Sequence, residues 1–378
     1  MPSLTLRELW YTKGKTILII LGMTFSIFMV LYSSGMWNGV LSKSTEVIDQ
    51  YDYDIWIQDK DCDTIMENCI VNDSVYQEIK DEESVEKIER IIQWMAEAET
   101  EDYSMQCIFI GYELNSEYLE PWDLIEGDIS DLKKNNSIII DETFRNYLED
   151  IEVGDSIIIN RVEMEIVGMT KNGKFMGSPY VWGSIETARK LAPWAGIWSS
   201  AIGVKLKSGI STDDFKNDIK SLENDNQIPK LEVMTTEEIR QTTYDYIVNE
   251  GGMGGSIYII VAMGFFIALI IISVSMYQTI QEKIPEFGTL KAIGASKGYL
   301  NRVLLGQVFI YVSISFVIAS MLTVLLGELM NPVSIIPVKI SLPATFILYG
   351  VTLLLTTICS LISIRKVHKI DPAIVFRG

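Results

Sequence analysis

A chain of 378 residues that is 48% hydrophobic and still carries a formal net charge of −19 cannot be one uniform globule, since the two figures call for different solvents. Residues 44–250 hold 45 Asp and Glu against 18 Lys and Arg, whereas the rest of the chain holds 5 acids against 13 bases. One acidic soluble block therefore lies between apolar, mildly basic flanks, which argues for a membrane protein and against a nucleic-acid partner.

Residues 3–15 place Leu6, Leu9 and Trp10 on one helical face and Arg7, Lys13 and Lys15 elsewhere. That pattern predicts a cytoplasmic interfacial helix over residues 1–15. Gly14–Lys15–Thr16 matches only the tail of a phosphate loop: Leu9 stands where the first glycine belongs, and no strand precedes it. Four uncharged runs follow along the chain, at 16–42, 251–281, 303–327 and 340–364. Each exceeds the ~20 residues needed to cross a ~30 Å hydrocarbon core. The first stays apolar through Met36 and Trp37 without a small-x-small site, and so predicts an uncleaved anchor rather than a signal peptide. Eleven Lys and Arg fall in residues 1–15, 282–302 and 365–378, against Lys339 alone in 328–339. The positive-inside rule then puts both termini and the 282–302 segment in the cytoplasm, with 43–250 and the 328–339 loop outside.

Within the external block, Tyr51, Tyr53, Ile55 and Ile57 alternate as a half-buried strand should. Ser74 predicts the cap of a helix to about Ile92, with Val75, Ile79, Val85, Ile88 and Ile91 inward. Met105–Tyr112 reads as a strand, and Ala201–Leu206, Thr212–Leu222 and Lys230–Met234 as a second strand–helix–strand unit. These units flank an insertion at about 113–198 that is mostly β. It has a strand at Ile138–Ile140, a short helix at Glu142–Glu149 and a hairpin of Ile157–Ile159 with Val162–Val167 across Asn160–Arg161. Tyr180–Trp182 and a helix from Ser184 complete it. Thr235 and Glu238 form a capping box for a helix through Ile239, Tyr244 and Ile247. Gly251–Gly255 then marks a flexible or closely packed junction with the second run. The expected fold class is a membrane protein of four transmembrane α-helices, with a large extracytoplasmic α/β domain of two subdomains between spans 1 and 2.

The acidic block offers little chemistry. Asp59, Asp61, Asp63 and Glu67 open like a calcium loop, but the sixth position is Thr64 rather than Gly and the twelfth is Ile70 rather than Glu. A solvated acidic loop is expected there. The only histidine, His368, lies in the cytoplasmic tail, and HExxH, GxSxG and paired CxxC motifs are absent. Cys62 and Cys69 would close a small loop in an oxidising compartment and leave Cys107 over. The runs carry no ionisable residue at membrane depth, which an ion-coupled carrier normally needs. No catalytic, cofactor-binding or metal-ligating residue is assigned, so the energy must come from a partner.

The stretch from Gln281 to Arg302 indicates which partner. Its apolar residues Ile284, Phe287, Leu290 and Ile293 recur at spacings of three, with Pro285 suited to the first turn of a short helix. Glu282, Lys283, Glu286, Phe287, Gly288, Leu290, Lys291, Ala292, Ile293, Gly294, Ala295 and Ser296 follow the pattern E-R-x-x-E-[IF]-G-x-L-[KR]-A-[IL]-G-A-[ST]. This resembles the cytoplasmic loop of FtsX-like, or MacB-type, ABC transporter permeases, including the DevC-like members. Asp371–Arg377 is similar to that family's D-P-x-x-x-[LF]-R ending, and Gly111–Tyr112, Glu126–Gly127, Ile139–Asp141 and Val153–Gly168 resemble its MacB-type periplasmic core domain. The resemblance implies a prokaryotic inner-membrane permease without ATPase activity of its own. It implies a separate ABC ATPase that binds the ATP, a second permease copy (identical or different) and, outside, a membrane-fusion adaptor or another partner. The loop at 282–296, within the cytoplasmic segment 282–302, would contain the coupling helix seated on the ATPase. Two roles follow: export by mechanical transmission, or an FtsX-like activation of an external partner without transport. Pro285 departs from the pattern, since the family usually carries a basic residue there; it removes a charge and breaks continuity with the preceding span.

Overall fold

A computed structural model of the chain describes residues 13–67, 69–100, 103–116, 119–148, 151–192, 196–224, 228–250, 253–282, 297–331 and 334–368. In chain order the elements begin with α1 (Lys13–Ser44), α2 (Glu46–Gln50), β1 (Ile55–Asp59), β2 (Val71–Asn72), α3 (Asp73–Ile79), β3 (Val85–Glu99) and β4 (Ser104–Tyr112). They continue with β5 (Leu124–Gly127), β6 (Ser137–Asp141), β7 (Ser156–Ile159), β8 (Val162–Thr170), β9 (Lys174–Phe175), β10 (Ser178–Ser184) and α4 (Ile185–Leu191). The last are β11 (Trp198–Ser199), β12 (Ala201–Leu206), α5 (Thr212–Asn224), β13 (Leu231–Thr235), α6 (Thr236–Asp245), a π-helical turn (Tyr246–Glu250), α7 (Met253–Glu282), α8 (Lys297–Met330) and α9 (Leu342–His368). They fall into two compact units, one of 40–254 with 331–336 and one of the remaining residues.

The first unit is built on an 11-stranded mixed sheet in which nine strands run in the order β13-β1-β12-β3-β4-β10-β6-β8-β5, with β7 paired to β3 and β8 and β9 paired to β10 beside them. Its local starts are those the side chains dictate. The Thr235 hydroxyl and the Glu238 carboxylate form the expected capping box of α6. Ser184 caps α4 by accepting the Thr187 N–H at 3.0 Å. Asn160 and Arg161 both take positive φ, 46° and 68°, as the two-residue hairpin between β7 and β8 requires.

The helix expected from Ser74 to about Ile92 is a correction: the structure has α3, capped by Asn72, and then the 15-residue strand β3. Val85, Ile88 and Ile91 stand on that strand. Their spacing of three mimics a helix because Ile91, Ile92, Gln93 and Trp94 are all buried. Burial on both faces erases the period of two that marks a half-exposed strand. The 113–198 insertion is indeed rich in strands, but β10, β6, β8 and β5 extend the sheet from β4 rather than starting another. Two buried clusters result. One holds Ile55, Val75, Val204 and Phe215, the other Phe109, Ile140, Ile166 and Val181. β3 feeds both, through Val85 and Ile88 in the first and Ile92, Trp94 and Ala96 in the second.

In the other unit, α1 packs on α8 through Met23, Ile27 and Leu31 against Val308, Val312, Phe316 and Ala319. Among the described residues, two helical stretches are long and apolar enough to cross a membrane, Thr16–Ser44 and Asn301–Met330, with a shorter apolar one at Leu342–Ile358. α7 spans 30 residues and carries one charged residue, Glu282, at its end. Hydroxyls here mostly serve their own helix: Ser26, Thr323, Thr352, Thr356 and Ser360 each donate to the carbonyl four residues back. Bonds that cross between helices include Ser315 to the Ile20 carbonyl at 3.2 Å and Ser313 with Tyr349 at 2.9 Å. The C-terminal part of α1 meets the chain leading into α9 without room for a side chain. A Cβ on Gly39 would lie 1.8 Å from the Pro337 carbonyl oxygen, and one on Gly35 2.6 Å from Val338. The Lys339 N–H donates to the Gly35 carbonyl at 2.9 Å. A small-xxx-small pair is what such backbone contact needs.

Candidate functional site

Glu282 closes α7. The other residues expected to seat on an ATPase (Lys283, Glu286, Phe287, Gly288, Leu290, Lys291, Ala292, Ile293, Gly294 and Ala295, with Ser296 beside them) lie outside the described residues, as do Pro285, the interfacial stretch 1–12 and the Asp371–Arg377 ending.

What the structure does bring together is a buried polar joint in the soluble unit. Lys43, in the last turn of α1, pairs with Glu46 and donates to the Asn172 carbonyl at 2.7 Å. Two residues on, Lys174 is 7% exposed and donates to the Asn331 carbonyl at 2.9 Å. Between these loops Asp141, at the end of β6, is fully buried. It accepts the Gly173 N–H at 2.6 Å, the Thr143 N–H at 2.9 Å and the Thr143 hydroxyl. Burial raises the Asp141 pKa, against the lowering effect of the Thr143 and Gly173 bonds. Burial likewise lowers the Lys174 pKa, and the Asp141 charge opposes it. Each group is thus stripped of water and held by its neighbours, so removing one leaves another buried and uncompensated.

An aromatic wall backs the joint. Trp122 meets Tyr51, Tyr180 and Trp182 edge-on, at centroid distances of 5.9, 5.7 and 5.3 Å. Such edge-to-face rings resist sliding as well as separation. Tyr51 and Tyr180 are both buried, which pushes their phenols well above the ordinary tyrosine range and keeps them neutral. They supply no base and no nucleophile. The joint ties the last turn of α1, the 172–174 turn and Asn331 to the end of β6.

Sequence reasoning reached Asp141 only through the resemblance and missed Lys43, Glu46, Asn172 and Lys174. The one available signal was Lys43 as the first charge after an uncharged run. Elsewhere in this unit the structure joins Cys62 to Cys69 in a disulfide, while Cys107 stays free and buried, its thiol pushed up to about 12 by burial. In the acidic loop nearby, Asp59 accepts the Asp61 N–H at 2.9 Å and Glu67 the Asp63 N–H at 2.8 Å, so two carboxylates serve the turn itself.

Comparison with known proteins follows the same division of the chain. Residues 16–222 match the family described as MacB-like periplasmic core domain, and residues 258–372 the family described as FtsX-like permease C-terminal. A protein of Staphylococcus haemolyticus that carries the name of a hemin transport system permease, HrtB, is 23% identical over 379 residues, covering 98% of this chain and 97% of its own. Its namesake from Staphylococcus epidermidis is 24% identical over 384 residues, with the same coverage. The solved periplasmic region of MacB from Actinobacillus actinomycetemcomitans superposes with a TM-score of 0.40 at 13% identity, covering 54% of this chain and 98% of that one. The extracellular domain of the ABC-type transporter YknZ from Gram-positive bacteria gives 0.36 at 13% identity, covering 48% and 98%.

Proposed function

The chain belongs to the FtsX-like, MacB-type family of ABC transporter permeases, and from that premise we propose that it is the membrane subunit of an exporter driven by mechanical transmission from a separate ATPase. On this reading the chain crosses the membrane four times, with both termini and 282–302 in the cytoplasm and the acidic block outside. Glu282, Lys283, Glu286, Phe287, Gly288, Leu290, Lys291, Ala292, Ile293, Gly294 and Ala295 form the helix that docks on the ATPase, Phe287 and Leu290 as its apolar anchor. A second permease copy completes the assembly, and an adaptor or other partner meets the external domain.

The observation that carries the reading is the joint around Lys43. α1 is one helix from its apolar run to a last turn fixed by Glu46 and the Asn172 carbonyl. On this reading a displacement of that helix would reach the sheet unit through Asn172. The staphylococcal relatives are named for hemin, so a flat amphiphilic molecule of that class is the substrate to test first. Phe287→Asp and Leu290→Asp should each abolish co-purification of the ATPase with the full chain; recovery of the ATPase at the unmodified level would remove the docking assignment. Substrate-stimulated ATP hydrolysis by the reconstituted complex is expected of an exporter. Hydrolysis indifferent to substrate, with an external hydrolase bound to 44–250, would instead mark an FtsX-like transmitter.

A further inference from the structure

A second concavity lies in the soluble unit, apart from the joint. It is a groove of about 320 Å³, at the lower end of the roughly 300–1,000 Å³ range of small-molecule pockets. Its walls are unusual for a surface so acidic. Three thioethers line it, from Met66 in the disulfide loop, Met95 on β3 and Met176 in the turn between β9 and β10. Phe175 and Tyr246 supply aromatic surface between them, while the Trp94 ring packs on Phe109 within the buried cluster. Thioethers are polarisable and adapt their shape, and they pack favourably on rings.

Met95 is 49% exposed, a large apolar side chain left open on a strand at the middle of the sheet. Beside it, Gln93 also borders the groove and is 5% exposed, yet its Oε1 has no hydrogen-bond partner among the described residues. A buried amide oxygen without a partner is unfavourable. A turn about the terminal torsion of Gln93 offers that oxygen to a donor in the groove. The rim is also irregular. Met176 takes φ 52°, and Tyr246 opens the π-helical turn that leads toward α7. Backbone of both kinds gathers at functional sites.

We propose that this groove binds a compact, uncharged aromatic molecule carrying one hydrogen-bond donor, its ring among the three methionines and its donor on Gln93 Oε1. The volume suits one small ring system, and the lack of a charged side chain in the lining disfavours an ionic ligand. Binding at this place is independent of the transport reading, and would bring the disulfide loop, β3, the β9–β10 turn and the π-helical turn onto one ligand.

The test uses the full chain in lipid nanodiscs, without an ATPase, irradiated with 4-aminobenzophenone. This probe has the required ring, the required N–H donor and a photoreactive ketone. Peptide mass spectrometry should place the label on segments containing Met95 and Met176, and excess N-phenyl-1-naphthylamine should suppress it. Met95→Asp, at a half-exposed position that tolerates charge, should reduce labelling at least tenfold. Gln93→Leu should weaken the competitor by roughly tenfold, the loss of one buried hydrogen bond. Label confined to the membrane helices, or unchanged in Met95→Asp, would overturn the proposal. So would an unlabelled wild type whose self-association is lost in Met95→Asp, because the groove would then be filled by a second copy. Because no ATPase is present, failure of the export reading leaves this result standing.

Discussion

The two units hold their polar groups by opposite means. In the membrane unit, Thr356 donates to Thr352 and Ser360 to Thr356, each closing a bond four residues long. In the soluble unit, Lys43 reaches Asn172 across 129 residues, Lys205 reaches Asp52 across 153, and Arg189 pairs with Asp73 across 116. Local bonds travel with their helix when it moves, whereas long-range bonds break unless everything moves together. Helices held mostly by their own bonds can shift past one another in the membrane unit at smaller cost than the cross-linked segments of the soluble unit can.

The comparison predicts a graded set of responses. The largest belongs to Asp141→Ala, which strands the Gly173 and Thr143 N–H groups and removes the stronger of the two carboxylate charges acting on Lys174; a loss of about 4 kcal/mol is expected in chemical denaturation. The pH profile adds a signature. Burial raises the Asp141 pKa, so the folded state holds the proton more readily than the unfolded chain. Stability from this group therefore falls as pH climbs from the ordinary carboxylate value through the raised one. That slope should vanish in the variant, and its survival would assign it to another group. Next comes the double variant Cys62→Ser with Cys69→Ser. Opening a loop of sequence separation 7 should cost about 2.5 kcal/mol by the chain-entropy relation. The fall in Tm should be confined to the soluble unit; a matching loss of helical signal from the membrane unit would break the comparison. The smallest effect is expected of Thr356→Val, within about 0.5 kcal/mol, because the hydroxyl serves only its own helix. A large loss there would show that the membrane unit relies on bonds between helices beyond those of Ser315 and Ser313.

Much of this contrast was legible in the sequence, for a physical reason. Uncharged runs and capping boxes are local, and the expected bounds 16–42, 251–281, 303–327 and 340–364 fall inside or within two residues of α1, α7, α8 and α9. The Asn160–Arg161 hairpin and the Ala201–Leu206 strand likewise announce themselves in a few residues. β3 did not, because a strand buried on both faces loses its alternation. The joint was invisible for a stronger reason: Lys43, Asp141, Lys174 and Asn331 share no local pattern, and only the sheet brings them together.

The sheet order also decides when the soluble unit can form. β1 pairs with β12 and β13, so Ile55 must wait for Val204 on one side and Thr235 on the other. A chain that emerges from its amino end presents β1 about 150 residues before its first partner. High contact order of this kind slows folding and leaves a bare strand edge exposed meanwhile. Truncation anywhere between α5 and β13 would therefore leave the earliest-made strand of the sheet with an open edge.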